Sequence, residues 1–123
     1  MRKKSVVLLI VLMVLSACAS SSAYHKISPS KAKSMLDEGN VILVDVRTLD
    51  EYNEGHIAGA ILIPNESIGS TQPAALPDKE AVILIYCRSG NRSKQAADKL
   101  VAMGYTKIYD FGGIIDWTYG TVK

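Results

Sequence analysis

Cys87 follows the apolar run "AVILIY" and is itself followed by Arg88, Ser89, Gly90, Asn91 and Arg92. These six residues combine one nucleophile, two guanidinium groups, two small hydrogen-bond donors and a glycine. Such a set suits a thiolate and the anionic compound it attacks. A thiol at its ordinary pKa of about 8.5 is only ~3% ionised at pH 7, so a working cysteine needs help to lose its proton. A downward shift of two pKa units takes about 2.7 kcal/mol. A helix terminus acting together with one or two cations can supply that. The first turn of a helix presents amide hydrogens without intrahelical partners, and partial positive charge, to whatever precedes it. Arg88, Arg92 and Lys94 add formal charge, with no acid before Asp98. Gly90 can take the positive φ that a tight loop requires and lets backbone amides approach a ligand. Ser89 and Asn91 can donate to anionic oxygen, and Arg88 offers a planar fork.

A strand end and a helix start must hold these residues, and the surrounding sequence predicts both. "AVILIY" is a continuous apolar run of strand length. From Ser93 to Met103 the apolar side is Ala96, Ala97, Leu100, Val101 and Met103, which predicts an amphipathic helix capped by Gly104. Upstream, "ISPSKAKSMLDEGN" predicts a helix with Ser28 as cap, Pro29 in the first turn and Gly39 as stop. "VILVD" (Val41 to Asp45) predicts a strand buried on both faces. Thr48 and Glu51 have capping-box spacing before Gly55. "GAILIP" and "KIYDF" predict further strands, Asn65 to Lys79 a surface loop with one helical turn, and "GGIIDWTYG" a glycine turn leading into a short helix. Helices alternating with apolar strands predict an α/β domain with a mainly parallel central sheet and helices on both faces. In such sheets ligands bind beyond the carboxyl ends of the strands, where Cys87 falls.

The 123 residues allow one domain. A basic start (Arg2, Lys3, Lys4), an apolar run from Val6 to Leu15 and the small residues after it have the pattern of an export signal, too short for a permanent span. Leu15, Ser16, Ala17 and Cys18 resemble a bacterial lipoprotein signal. The resemblance implies cleavage of residues 1–17, lipid on Cys18 and a cell-envelope protein on the periplasmic side of a membrane. Two or more acyl chains anchor stably, at ~0.8 kcal/mol per buried methylene. Residues 18–26 read as a lipidated tether, its last eight residues reaching about 15 Å, and 27–123 as the domain. Removing three of the 14 basic residues leaves 11 against 12 acidic ones. A nearly neutral domain offers no field for nucleic acid. With Cys18 lipidated, Cys87 has no intramolecular partner for a disulfide. The two histidines, without a second nearby cysteine, predict no metal site. Nothing in the sequence specifies an oligomeric state.

"VDVRTLDEYNEGHIAGAILIP", then "YCRSGNRS", then "GGIIDW" resemble the rhodanese family, specifically its small single-domain bacterial sulfurtransferases, over about Ile27 to Trp117. The resemblance implies a doubly wound domain without a cofactor. In it Cys87 takes sulfane sulfur from a small anionic donor such as thiosulfate, becomes a persulfide, and passes the sulfur to a thiol or cyanide acceptor. Arg88, Ser89, Gly90, Asn91 and Arg92 would hold the donor. Asp45 and Arg47 match the family's strand-end Asp-x-Arg and would brace the site, Arg47 pairing with Glu51. His56 matches the "GHI" motif, as a histidine bonded to its own loop more than as an acid–base catalyst. Trp117 reads as core or pocket wall. Two other readings stand beside this one. The first is a membrane-tethered sulfur-carrier or binding module. The second is a cysteine-dependent phosphatase or arsenate reductase, disfavoured because such loops need five residues between Cys and Arg, and Arg92 comes one position early.

Overall fold

The computed structural model describes residues 22–123; the expected signal peptide, Cys18 and the start of the tether lie outside the described residues. In chain order the elements are β1 (Tyr24–Lys26), α1 (Pro29–Glu38), β2 (Ile42–Asp45), α2 (Leu49–Glu54), β3 (Ile61–Leu62), β4 (Ile83–Cys87), α3 (Asn91–Ala102) and β5 (Ile108–Gly113). Short 3-10 turns at Asn65–Ser67 and Ile114–Asp116 complete them. The sheet order is β1-β5-β4-β2-β3, and every strand pair is parallel. β4 takes the centre because all five of its residues are buried, so both of its faces need cover.

Alternation along β4 assigns its side chains. Ile83, Ile85 and Cys87 pack with Ala96, Ala97 and Leu100 of α3, while Leu84 and Tyr86 pack on the opposite face with Ala32, Met35 and Leu36 of α1. The helices on both faces match the expected class. Their ends follow the predicted chemistry. Ser28 accepts the Lys31 amide at the start of α1, and Gly39 ends it at φ 87°. Thr48 and Glu51 form the full capping box of α2, which Gly55 closes.

Three expectations are corrected. Tyr24–Lys26 belong to the sheet rather than the tether: they pair with Ile108–Asp110, and His25 stacks on Tyr109 at 4.7 Å. The domain therefore begins at Tyr24. α3 starts at Asn91 rather than Ser93, because Gly90 at φ 111° is its N-cap, so Asn91 and Arg92 lie in the first helical turn. The Asn65 to Lys79 segment is not a mere surface loop. Asn65, Ile68 and Leu76 are buried, and the Tyr105 hydroxyl donates to the Leu76 carbonyl. Among the described residues, no helix is long and apolar enough to cross a membrane.

Candidate active site

Cys87 is the last residue of the central strand, and the turn after it folds back over its sulfur. The Gly90 N–H donates to Cys87 Sγ at 3.0 Å. Gly90 can do so because φ 111° turns its amide inward, a conformation that side chains with a Cβ rarely adopt. The sequence places the cysteine at an exposed strand end; in the structure it is only 1% exposed. Loop and helix start cover it, so the thiol forms the floor of the loop rather than its rim.

The floor is fitted against β5. Two steps along β4, from Ile85 to Cys87, face three along β5, from Asp110 to Gly113. Gly112, at φ 86°, absorbs the extra residue. Gly113 then lies against the turn so closely that a Cβ on it would sit 2.0 Å from the Arg88 carbonyl oxygen. That carbonyl also accepts the Ile115 N–H at 3.3 Å. The glycine pair of "GGIIDW" is thus a bed for the cysteine turn, Gly112 for its dihedral and Gly113 for its missing side chain.

Arg88 and Ser89 are exposed above this bed. Among the described residues the Arg88 side chain has no ion-pair partner. Arg92 is engaged differently from the expectation that it holds the donor. Its two terminal nitrogens donate to Glu51 Oε1 and Oε2 at 2.8 and 3.0 Å. The hydrogen bonds from Arg92 are the largest cause holding the Glu51 carboxyl at about 2, against some opposition from burial and with help from the Thr48 amide. Glu51 therefore joins α2 to the first turn of α3, and its expected pairing with Arg47 does not occur.

Arg47 turns instead to Asp45. Its Nε and Nη2 donate to the carboxylate, and Nη2 also reaches the Gly55 carbonyl at 2.7 Å. Asp45 is fully buried and also accepts from the Tyr86 hydroxyl at 2.7 Å. Burial first, then that carboxylate, push the Tyr86 phenol up. This network lies on the α1 face, opposite Cys87, and supports the 55–57 turn, since Tyr86 Oη in turn accepts the Ile57 amide. His56 Nδ1 donates to the Tyr52 carbonyl at 2.9 Å, its ring stacks on Tyr52 at 3.7 Å, and its backbone pairs with Val122. It fastens the chain's end to α2. Trp117 lies in the core against Phe111 and Tyr119 and walls a half-open cleft of about 280 Å³. Cys87 is not part of that wall.

Of the expected residues, the structure brings Cys87, Arg88, Ser89, Gly90, Asn91 and Arg92 together, with Glu51 reaching in through Arg92. Asp45, Arg47 and His56 stand behind the sheet. Sequence reading gives Asp110, Ser93 and Gly113 no part in the site. A lone carboxylate inside the apolar strand "KIYDF" is the signal that marks Asp110.

Known proteins share this fold. The model of the rhodanese-like domain family matches residues 28–119. The thiosulfate sulfurtransferase PspE of Escherichia coli is 38% identical over 80 residues, 65% of this chain and 77% of that protein. The thiosulfate sulfurtransferase GlpE of Pseudomonas entomophila is 37% identical over 92 residues, 75% of this chain and 82% of that one. A solved rhodanese with anions from E. coli superposes with a TM-score of 0.61 at 36% identity, covering 67% of this chain and 96% of that one. Likeness over this much of the domain, including relatives named as thiosulfate sulfurtransferases, means that the chain belongs to the rhodanese-like family.

Proposed function

We propose that the chain moves sulfane sulfur from a small anionic donor such as thiosulfate to a thiol or cyanide through a persulfide on Cys87. One observation carries the reading: the single cysteine among the described residues ends the central strand with the Gly90 amide on its sulfur. In the first half, the Cys87 thiolate attacks the outer sulfur of the donor. The donor's S–S bond breaks and sulfite leaves with the electron pair. In the second half, the acceptor attacks the outer sulfur of the persulfide and Cys87 departs as a thiolate. The Gly90 amide stabilises negative sulfur at both moments. Arg88, exposed and without an ion-pair partner among the described residues, is suited to receive the sulfonate end of the donor. A thiol at the floor of a short loop favours a small donor over a bulky one.

Intact-mass measurement after thiosulfate treatment tests the first half. A gain of about 32 Da, one sulfur atom, should map to Cys87 and vanish on adding cyanide, with release of thiocyanate. Cys87→Ser should remove both signals and keep the fold; transfer surviving in that variant would falsify the mechanism. Sulfur accepted once but discharged to no small acceptor would favour the carrier module. Aryl-phosphate hydrolysis without thiocyanate release would favour the phosphatase reading.

The reading extends to location. We infer that the protein is exported and held at the cell envelope through lipid on Cys18, supported by the Leu15–Cys18 pattern after a basic and apolar leader. Cys18→Ser should move the protein from the detergent phase to the aqueous phase; unchanged partitioning would refute the anchor.

A further inference from the structure

Two carboxylates are fully buried among the described residues, Asp45 and Asp110. Asp45 is answered by Arg47. Asp110 has no cation within ion-pair distance among the described residues. A buried charge without a counter-ion is tolerated only when hydrogen bonds satisfy it, and three donors do. Asp110 Oδ1 accepts the Ser93 hydroxyl at 2.8 Å and the Gly112 N–H at 3.0 Å, while Oδ2 accepts the Tyr24 hydroxyl at 2.7 Å. Burial, then Asp110 itself, push the Tyr24 hydroxyl up and keep it a donor.

These partners belong to the two pieces of backbone between which the cysteine turn is held. Ser93 is the third residue of α3, three after Gly90, and its hydroxyl also lies 3.1 Å from the Gly90 carbonyl. One hydroxyl proton serves one acceptor at a time, and a carboxylate accepts more strongly than an amide carbonyl. Gly112 leads into Gly113, the bed of the Arg88 carbonyl. A single oxygen thus ties the helix start that aims the Gly90 amide to the bulge that supports the turn.

We infer that Asp110 is a positioning residue for Cys87, a clamp that keeps the Gly90 amide on the sulfur. The inference rests on the proposed sulfur transfer for its consequence and on geometry alone for its existence. Asparagine at this position would keep an oxygen for Ser93 and Gly112 and offer its amide to Tyr24, so the clamp works by hydrogen bonding and survives loss of the charge.

The test compares wild type with Asp110→Ala, Asp110→Asn and Ser93→Ala. Amide exchange by NMR reads Gly90 against Val46, whose N–H donates to the carbonyl of Tyr86 in the β2–β4 pairing of the sheet, with no bond to Asp110 or Ser93. Single-turnover mass measurement reads sulfur loading of Cys87 at 25 °C. Asp110→Ala and Ser93→Ala should lower Gly90 protection about tenfold relative to Val46 and slow loading about tenfold, while Asp110→Asn should restore both to within about twofold. Gly90 protection that falls only in step with Val46 would overturn the clamp, because a merely structural residue lowers both together. So would Asp110→Asn behaving as badly as Asp110→Ala, or loading that stays fast after Gly90 protection is lost. If Asp110→Ala does not fold, Ser93→Ala and Asp110→Asn carry the comparison. A wild-type protein that takes up no sulfur would sink the proposed function, and Gly90 exchange would still decide the clamp.

Discussion

Gly113→Ala adds a single methyl group, and the structure says where it must go. Gly113 has φ −125° and ψ 148°, extended values open to any residue, so the substitution brings no dihedral strain. The collision is steric. The new Cβ would stand 2.0 Å from the Arg88 carbonyl oxygen and 2.6 Å from both the Arg88 carbonyl carbon and Ser89 Cα. Ordinary contact begins at 3.4 Å, so the carbonyl must retreat by about 1.4 Å, the difference between 3.4 and 2.0. All three atoms are backbone and cannot swing aside as a side-chain end would. The retreat loosens the Ile115 bond to Arg88 and shifts the turn over Cys87. Overpacking of this kind costs about 1–3 kcal/mol, which in a domain of this size lowers Tm by roughly 5–15 °C. Misplacement of a reacting group by about 1 Å costs on the order of a hundredfold in rate. Thiocyanate release from thiosulfate and cyanide, measured at 25 °C with the folded fraction checked by circular dichroism, should fall by about two orders of magnitude. Gly59→Ala is the control: φ 87° brings dihedral strain, yet nothing lies within 4 Å. It should lower Tm and leave the rate per folded molecule unchanged. A Gly113→Ala protein with wild-type rate, or one whose loss matches its unfolded fraction, would refute the reasoning.

Other consequences follow from the same geometry. Arg92 holds the Glu51 carboxyl at about 2, below its ordinary 4.5, so the pair's contribution is fully present above about pH 4.5 and is lost as pH falls through 2. Both side chains are 26% exposed and partly screened. The stability gap between wild type and Glu51→Gln, which keeps the capping box, should be about 1–2 kcal/mol at pH 7 and close by pH 2 in urea titrations; a gap unchanged at pH 2 would count against the pair. Arg88→Ala should raise KM for thiosulfate about tenfold with little change in kcat, in keeping with loss of one charge-assisted contact. An unchanged KM would remove Arg88 from donor binding. Because Cys87 is 1% exposed, a small methylthiolating reagent should modify it at least about tenfold faster than a bulky aromatic disulfide, relative to a free thiol treated alike. Equal relative rates would mean that the loop does not shield the sulfur.

Much of the fold and of the site could be read along the chain because the signals are local. The all-apolar run before Cys87 marks a strand covered on both faces. Ser28, Gly39, Thr48 and Gly55 mark helix ends within one turn of where they act, and the cysteine loop is a contiguous stretch. The errors have one character. Local reading pairs Glu51 with Arg47, four residues away, whereas it bonds Arg92 across 41 positions. Tyr24 reads as tether because its partner, Asp110, lies 86 residues on. The Asn65 to Lys79 segment has the composition of a loop, yet Ile68 and Leu76 are core.

What the residues alone determined was an α/β domain with a nucleophilic cysteine between a strand and a helix, since hydrophobic period, caps and glycine placement act over a few residues. What only the tertiary structure decided was which charges are spent and which remain free: Arg92 on Glu51, Arg47 on Asp45, Arg88 without an ion-pair partner among the described residues. It also decided that Gly113 must lack a side chain because a carbonyl of the cysteine turn stands where a Cβ would be. The reason is that hydrogen bonds and steric contact are set by distance in space, and parallel strands bring together residues that the chain keeps far apart.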